Sequence, residues 1–109
     1  MQTIFLKKFG TVLVSRPAGL EAFRALRPTL DVDQSIAIDF DGVLTVTPSW
    51  FDEFLTNLAE MFGGRVELLP TDNASVRAML PVLAKDRRDA AAGALQAAIA
   101  AMNLSTGKV

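Results

Sequence analysis

Ile36-Ala37-Ile38 constrains this chain more than any other stretch. Three apolar residues follow one another without alternation and run straight into Asp39-Phe40-Asp41-Gly42. A half-exposed strand alternates apolar with polar residues. One that is apolar on consecutive positions is buried on both faces, as in the middle of a mixed or parallel sheet covered by helices. Ser35–Asp39 therefore reads as a central strand, with Asp39 and Asp41 at or just beyond its C-terminal end. Gly42 supplies the backbone freedom for the exit. A threonine-rich loop, Val43–Thr47, then leads into a helix. A buried strand feeding a loop and a helix N-terminus is a common place for a ligand or partner site.

The flanking segments supply the remaining elements. Thr3–Leu6 and Thr11–Val14 are short β-branched and apolar runs, separated by Lys7-Lys8-Phe9-Gly10. They predict a β-hairpin turning near Lys8–Gly10, with both lysines in solvent. Ser15-Arg16-Pro17 starts a helix, because proline suits the first helical turn. Leu20, Phe23 and Leu26 make its apolar face, Gly19 weakens its first turn, and Pro28 stops it. Thr47-Pro48-Ser49 is the best helix start in the chain. Either Thr47 caps with Pro48 at the first helical position, or Ser49 caps and Asp52 completes a capping box. Asp52 and Glu53 suit the positive end of the helix dipole. Phe51, Phe54, Leu55, Leu58 and Phe62 form one broad apolar face, and Gly63-Gly64 ends the helix.

Arg65–Leu69 is the next strand, ended by Pro70. Thr71-Asp72-Asn73 is a turn with a capping residue, and a helix follows from Ala74. Pro81 either kinks that helix or divides it in two. Asp86–Met102 is about half alanine and strongly helix-forming, with a narrow stripe of Leu95, Ile99 and Met102. Such a helix packs against this domain's sheet or against a second copy's helix. Asn103–Val109 reads as a frayed end. The order β-β-α-β-α-β-α(-α) predicts a small α/β sandwich, a four-stranded mixed sheet packed by helices. The whole chain, 1–109, is one domain, with a core over about 3–85 and the alanine-rich helix over about 86–102.

Composition narrows the chemistry. The net charge is −1, which advertises no basic surface for nucleic acid. With neither cysteine nor histidine, thiol nucleophiles, disulfides, the usual zinc sites and a histidine base are excluded. No apolar run approaches the roughly 20 residues that span a bilayer. Thr11–Val14 is too short for a signal-peptide core. A cytoplasmic location, no membrane partner and no cofactor are the expectations.

Two family resemblances compete for the central stretch. Ile36–Thr45, an apolar strand followed by Asp-Phe-Asp-Gly-Val-Leu-Thr, resembles the first motif of the haloacid-dehalogenase-like phosphatases. That resemblance implies Asp39 as nucleophile, Asp41 as general acid/base and Mg²⁺ bridging carboxylate and phosphate. The family's later lysine and acidic pair on a further strand have no counterpart here. The hairpin and helix before the motif also depart from that fold.

The second resemblance runs from Thr3 to Leu83. Lys7-Lys8-Phe9-Gly10-Thr11, Ser15-Arg16-Pro17-Ala18-Gly19-Leu20-Glu21-Ala22, Ile38-Asp39-Phe40-Asp41-Gly42-Val43, Thr47-Pro48-Ser49-Trp50-Phe51-Asp52-Glu53-Phe54-Leu55, Arg65-Val66-Glu67-Leu68 and Ser75-Val76-Arg77 occur in order. Together they resemble the small STAS-like domain family of unknown function, itself similar to the anti-sigma-factor antagonists. The resemblance implies a sheet packed by helices, no catalytic residues and a regulatory protein–protein role. The implied partner is a histidine-kinase-like ATPase of the GHKL class. In the antagonists a serine before the second helix is phosphorylated. Here that position is Pro48, so only Thr47 and Ser49 can accept phosphate. Trp50 either stands exposed as an interface anchor or packs over Val43–Val46. The expected interaction surface is Thr45, Thr47, Ser49, Trp50, Asp52 and Glu53, together with Asp72 and Asn73. The phosphatase on Asp39 and Asp41 and a structural homodimer through the C-terminal helix are the alternatives.

Overall fold

The computed structural model describes residues 1–104, and the expected frayed end beyond Leu104 lies outside them. The central-strand expectation holds. β1 (Gln2–Phe5), β3 (Ile36–Asp39) and β5 (Val66–Leu68) form one sheet with β3 in the middle. Both pairings are parallel, with Ile4 beside Ile38 and Ile38 beside Leu68. Ile4, Ile36, Ile38, Val66 and Leu68 fill the buried face. The other face shows Thr3, Phe5 and Glu67 to solvent, with small Ala37 buried between Thr3 and Glu67. The consecutive apolar run thus reports a central strand without large side chains on both faces.

The predicted hairpin does not form. Leu6–Phe9 is a turn of 3₁₀ helix that draws Leu6 fully into the core and leaves Lys7 and Lys8 exposed. The chain after Gly10 therefore does not return along β1. β2 (Val12–Leu13) pairs instead with β4 (Thr45–Val46), a strand hidden in the expected threonine-rich loop. The four-stranded mixed sheet is corrected on both counts. Among the described residues there are five strands in two sheets, and every pairing is parallel. Parallel pairing follows from the helices that separate most of the strands.

α1 (Arg16–Leu26) begins at Ser15, whose side chain accepts from the Ala18 N–H, and has Pro17 in its first turn. α2 (Pro48–Met61) buries Trp50, Phe51, Phe54, Leu55 and Leu58, with Phe62 just beyond its end. Gly63 and Gly64, at φ of 59° and 84°, close it in the left-handed region. α3 (Ala74–Ala84) runs through Pro81 without dividing. α4 (Ala92–Ala101) is shorter than expected. Asp86 takes φ of 55°, and the Asp89 carboxylate accepts from the Ala91 N–H, so 86–91 is a turn. Leu95, Ile99 and Met102 are buried against this domain's own core. No helix of the described residues is long and apolar enough to cross a membrane.

α1 crosses α2 at Gly19. A Cβ there would lie 2.2 Å from the Trp50 carbonyl oxygen, well inside van der Waals contact. Gly19 is therefore required by the crossing, a stronger reason for its presence than any effect on the first turn.

Candidate functional site

The segments before α2 and α3 meet, as expected of two connections leaving neighbouring elements. Side chains join them. Ser75 Oγ donates to the Val46 carbonyl at 2.9 Å and accepts from the Val46 N–H at 3.0 Å. Asn73 accepts from the Val76 N–H at 3.0 Å, capping α3, and its amide donates to the Val43 and Leu44 carbonyls. One asparagine thus starts a helix and pins the loop beyond Gly42. The resulting surface carries Thr45 and Asp72 exposed, with Thr47, Ser49 and Asn73 half-buried.

At the α2 N-terminus the two capping alternatives resolve. Thr47 Oγ1 accepts from the Trp50 N–H at 3.4 Å and lies 3.4 Å from Ser49 Oγ. No capping box forms, because Asp52 is used elsewhere. Asp52 accepts from Arg16 and from Arg87, each at 2.8 Å, and Thr56 donates to it at 3.3 Å. Arg87 also grips Asp89 at 2.9 Å. This network ties the start of α1 and the turn before α4 to the first turns of α2. Glu53 lies 3.4 Å from Arg16 and accepts from the Asn57 amide at 2.9 Å. Both carboxylates are mainly structural staples.

Burial is the largest single influence on Asp52 and pushes its pKa up. Hydrogen bonds from Arg16 and Arg87 together outweigh it and hold the carboxyl below its ordinary value. Asp89 is lowered by its hydrogen bond from Arg87. Depressed carboxyl pKa values contribute stability above the unfolded-state value of about 3.9, and that contribution disappears as pH falls through the folded-state values. Guanidinium midpoints measured from pH 7 down to pH 3 should fall most steeply below about pH 4. Asp52→Asn should flatten that acid limb; an unchanged profile would show that the network contributes nothing.

Trp50 is not an exposed anchor. It is 2% exposed, stacks on Phe54 with ring centroids 5.0 Å apart, and meets Phe9 at 6.2 Å. Phe9 and α1 lie against it, and it shares one buried cluster with Val43 and Val46. The residue that sequence reasoning passed over is Leu44, which is 69% exposed beside Thr45. A large apolar side chain beside two valines that can supply the loop's buried contacts was the available signal.

Asp39 and Asp41 stand where expected, at and just beyond the C-terminal end of β3. The Asp41 N–H donates to Asp39 Oδ1 at 2.9 Å, so Asp39 orders the following turn. Both border a polar hollow of about 400 Å³ that also takes in Gly42, Thr71 and Asp72. No group of three His, Cys, Asp or Glu side chains among the described residues is placed to hold a metal ion.

A small parallel α/β domain, with its connections gathered at strand ends and a helix N-terminus, defines the class. Residues 22–75 match the family model described as a STAS-like domain of unknown function (DUF4325). That stretch, from within α1 to the start of α3, is what the chain shares with the STAS-like family. No curated protein and no solved structure matches it.

Proposed function

We propose that this is a non-enzymatic regulatory domain that binds a protein partner through the surface formed by Leu44–Ser49 and Asp72. A GHKL-class ATPase with kinase-like architecture is the partner that family kinship favours. The observation that carries the reading is the joining of the two connections by Asn73 and Ser75. It holds exposed Leu44, Thr45 and Asp72 on one ordered surface. Ordered polar groups around an exposed apolar side chain are what a specific interface needs. Trp50, Asp52 and Glu53 support this surface from below.

Pro48 stands exposed at the position where the antagonists carry their phosphorylated serine, so the switch would use a neighbour. Ser49 is the better candidate, since Thr47 already spends its hydroxyl oxygen on capping. A phosphate on Ser49 would add nearly two negative charges beside Asp52 and Glu53 and would compete for Arg16.

The test is capture of the ATPase by a photo-crosslinker placed at Thr45, followed by affinity measurement. Leu44→Glu and Asp72→Arg should each weaken binding about tenfold, corresponding to ~1.4 kcal/mol, with an unchanged melting temperature. Binding indifferent to both substitutions would remove this surface from consideration.

A further inference from the structure

We infer that the outer edge of β5 docks an extended segment of a partner protein, one with a lysine or arginine opposite Glu67 between two apolar residues. The site is independent of the surface proposed above.

Among the described residues β5 is the last strand of its sheet. Its bonds to β3 use odd-numbered residues. The Ile36 N–H donates to the Arg65 carbonyl at 3.1 Å, and the Leu69 N–H donates to the Ile38 carbonyl at 2.9 Å. By strand alternation Val66 and Leu68 turn their backbone groups outward. The Val66 N–H is satisfied by the Gly64 carbonyl at 2.8 Å. The Val66 carbonyl and both backbone groups of Leu68 have no partner among the described residues. A donor between two acceptors at strand spacing is the pattern that an extended backbone meets.

Folded proteins normally blunt such edges. This one does so at β4, where Ser75 occupies both backbone groups of Val46 and Asn73 takes the Leu44 carbonyl. Among the described residues β5 has no equivalent cover. A hollow of about 400 Å³ lies between its edge and α4. Gly93, Ala97 and Ala101 recur at four-residue spacing along that wall, and a Cβ on Gly93 would meet nothing within 4 Å. From Ala90 to Gly107 the sequence has no charged residue. A surface helix ordinarily turns charge outward, so this uncharged wall suits apolar side chains laid beneath it. Glu67 is exposed and also borders this hollow; by strand alternation its side chain leaves the strand opposite to Val66 and Leu68, and a cross-strand cation would stand beside its carboxylate.

A second copy does not fit this edge. Antiparallel self-pairing about Glu67 puts two carboxylates face to face. Centred on Leu68, it sets the Val66 carbonyl against Pro70, which has no N–H. Centred on Val66, it needs an N–H already given to Gly64, and an extended backbone at Gly64, whose φ is 84°.

The probe is the peptide acetyl-Thr-Val-Lys-Val-Thr-amide, compared with its glutamate counterpart, added to the full chain while backbone amide resonances are followed. The Leu68 amide should shift and its hydrogen exchange should slow. The lysine peptide should bind about fivefold tighter, the upper range of a cross-strand charge pair. Glu67→Lys should invert that preference. Ala97→Leu should abolish binding at an unchanged melting temperature. A silent Leu68 amide, or equal affinity for both peptides, overturns the inference. So does a concentration-dependent dimer lost in Ala97→Leu, which would make a second copy the occupant, or peptide binding that appears only when the chain is ended at Leu104.

Discussion

Gly19→Ala should destabilise the fold by about 3 kcal/mol, the upper end of the usual overpacking penalty. Taken alone, a glycine within a helix costs about 0.5–1 kcal/mol relative to alanine, so propensity predicts the opposite sign. The geometry decides. The added Cβ would sit 2.2 Å from the Trp50 carbonyl oxygen and 3.0 Å from its carbon. Both are backbone atoms of α2, so no side chain can rotate away. The two helices would have to separate, opening the aromatic layer beneath them. Gly93→Ala in α4 provides the control, because nothing lies within 4 Å of its new Cβ. It should stabilise by about 0.5–1 kcal/mol. Thermal unfolding of the pair should show a fall of about 12 °C for Gly19→Ala, at ~4 °C per kcal/mol for a domain of this size, and a small rise for Gly93→Ala. Equal shifts would mean that α1 and α2 do not meet at Gly19.

Trp50→Ala should cost about 3–5 kcal/mol, the range for emptying a large buried aromatic site. Trp50 is 2% exposed, stacks on Phe54 and is roofed by Phe9 and by the α1 crossing. Against a total stability of ~5–15 kcal/mol, that loss brings the domain close to unfolding at ambient temperature. Denaturant titration followed by far-ultraviolet circular dichroism measures it without the lost fluorophore. A surface anchor would behave differently, changing stability by less than about 0.5 kcal/mol. The same experiment therefore separates the two roles the sequence left open. Any loss of partner binding in Trp50→Ala follows from loss of the fold, which is why Leu44 and Asp72 are the residues to change at the surface.

The elements most legible beforehand were those with local causes. Thr47 before Pro48 starts α2, Gly63-Gly64 ends it, and Asn73 starts α3. Each is a residue satisfying a backbone group within a few positions of itself. The hairpin failed because two β-type runs say nothing about their partners. Leu6 gains more from full burial than Lys7–Gly10 gains from a tight turn. β4 escaped notice because a two-residue strand has no period to read.

The candidate site divides in the same way. Asn73 and the two hydroxyls at the start of α2 could be picked out by type and position, since capping is local. The roles of Asp52 and Glu53 could not. Arg16 and Arg87 reach Asp52 from 36 and 35 residues away, and their pairing converts an apparent recognition carboxylate into a brace.

Ile36-Ala37-Ile38 by itself determined that a buried central strand would end in Asp39-Phe40-Asp41-Gly42, because consecutive apolar residues have no exposed face to spare. Which strands would flank it, which way they would run, and that Trp50 would face inward were decided only by the tertiary structure. Those outcomes depend on burial between distant segments and on the contact that Gly19 permits between two helices.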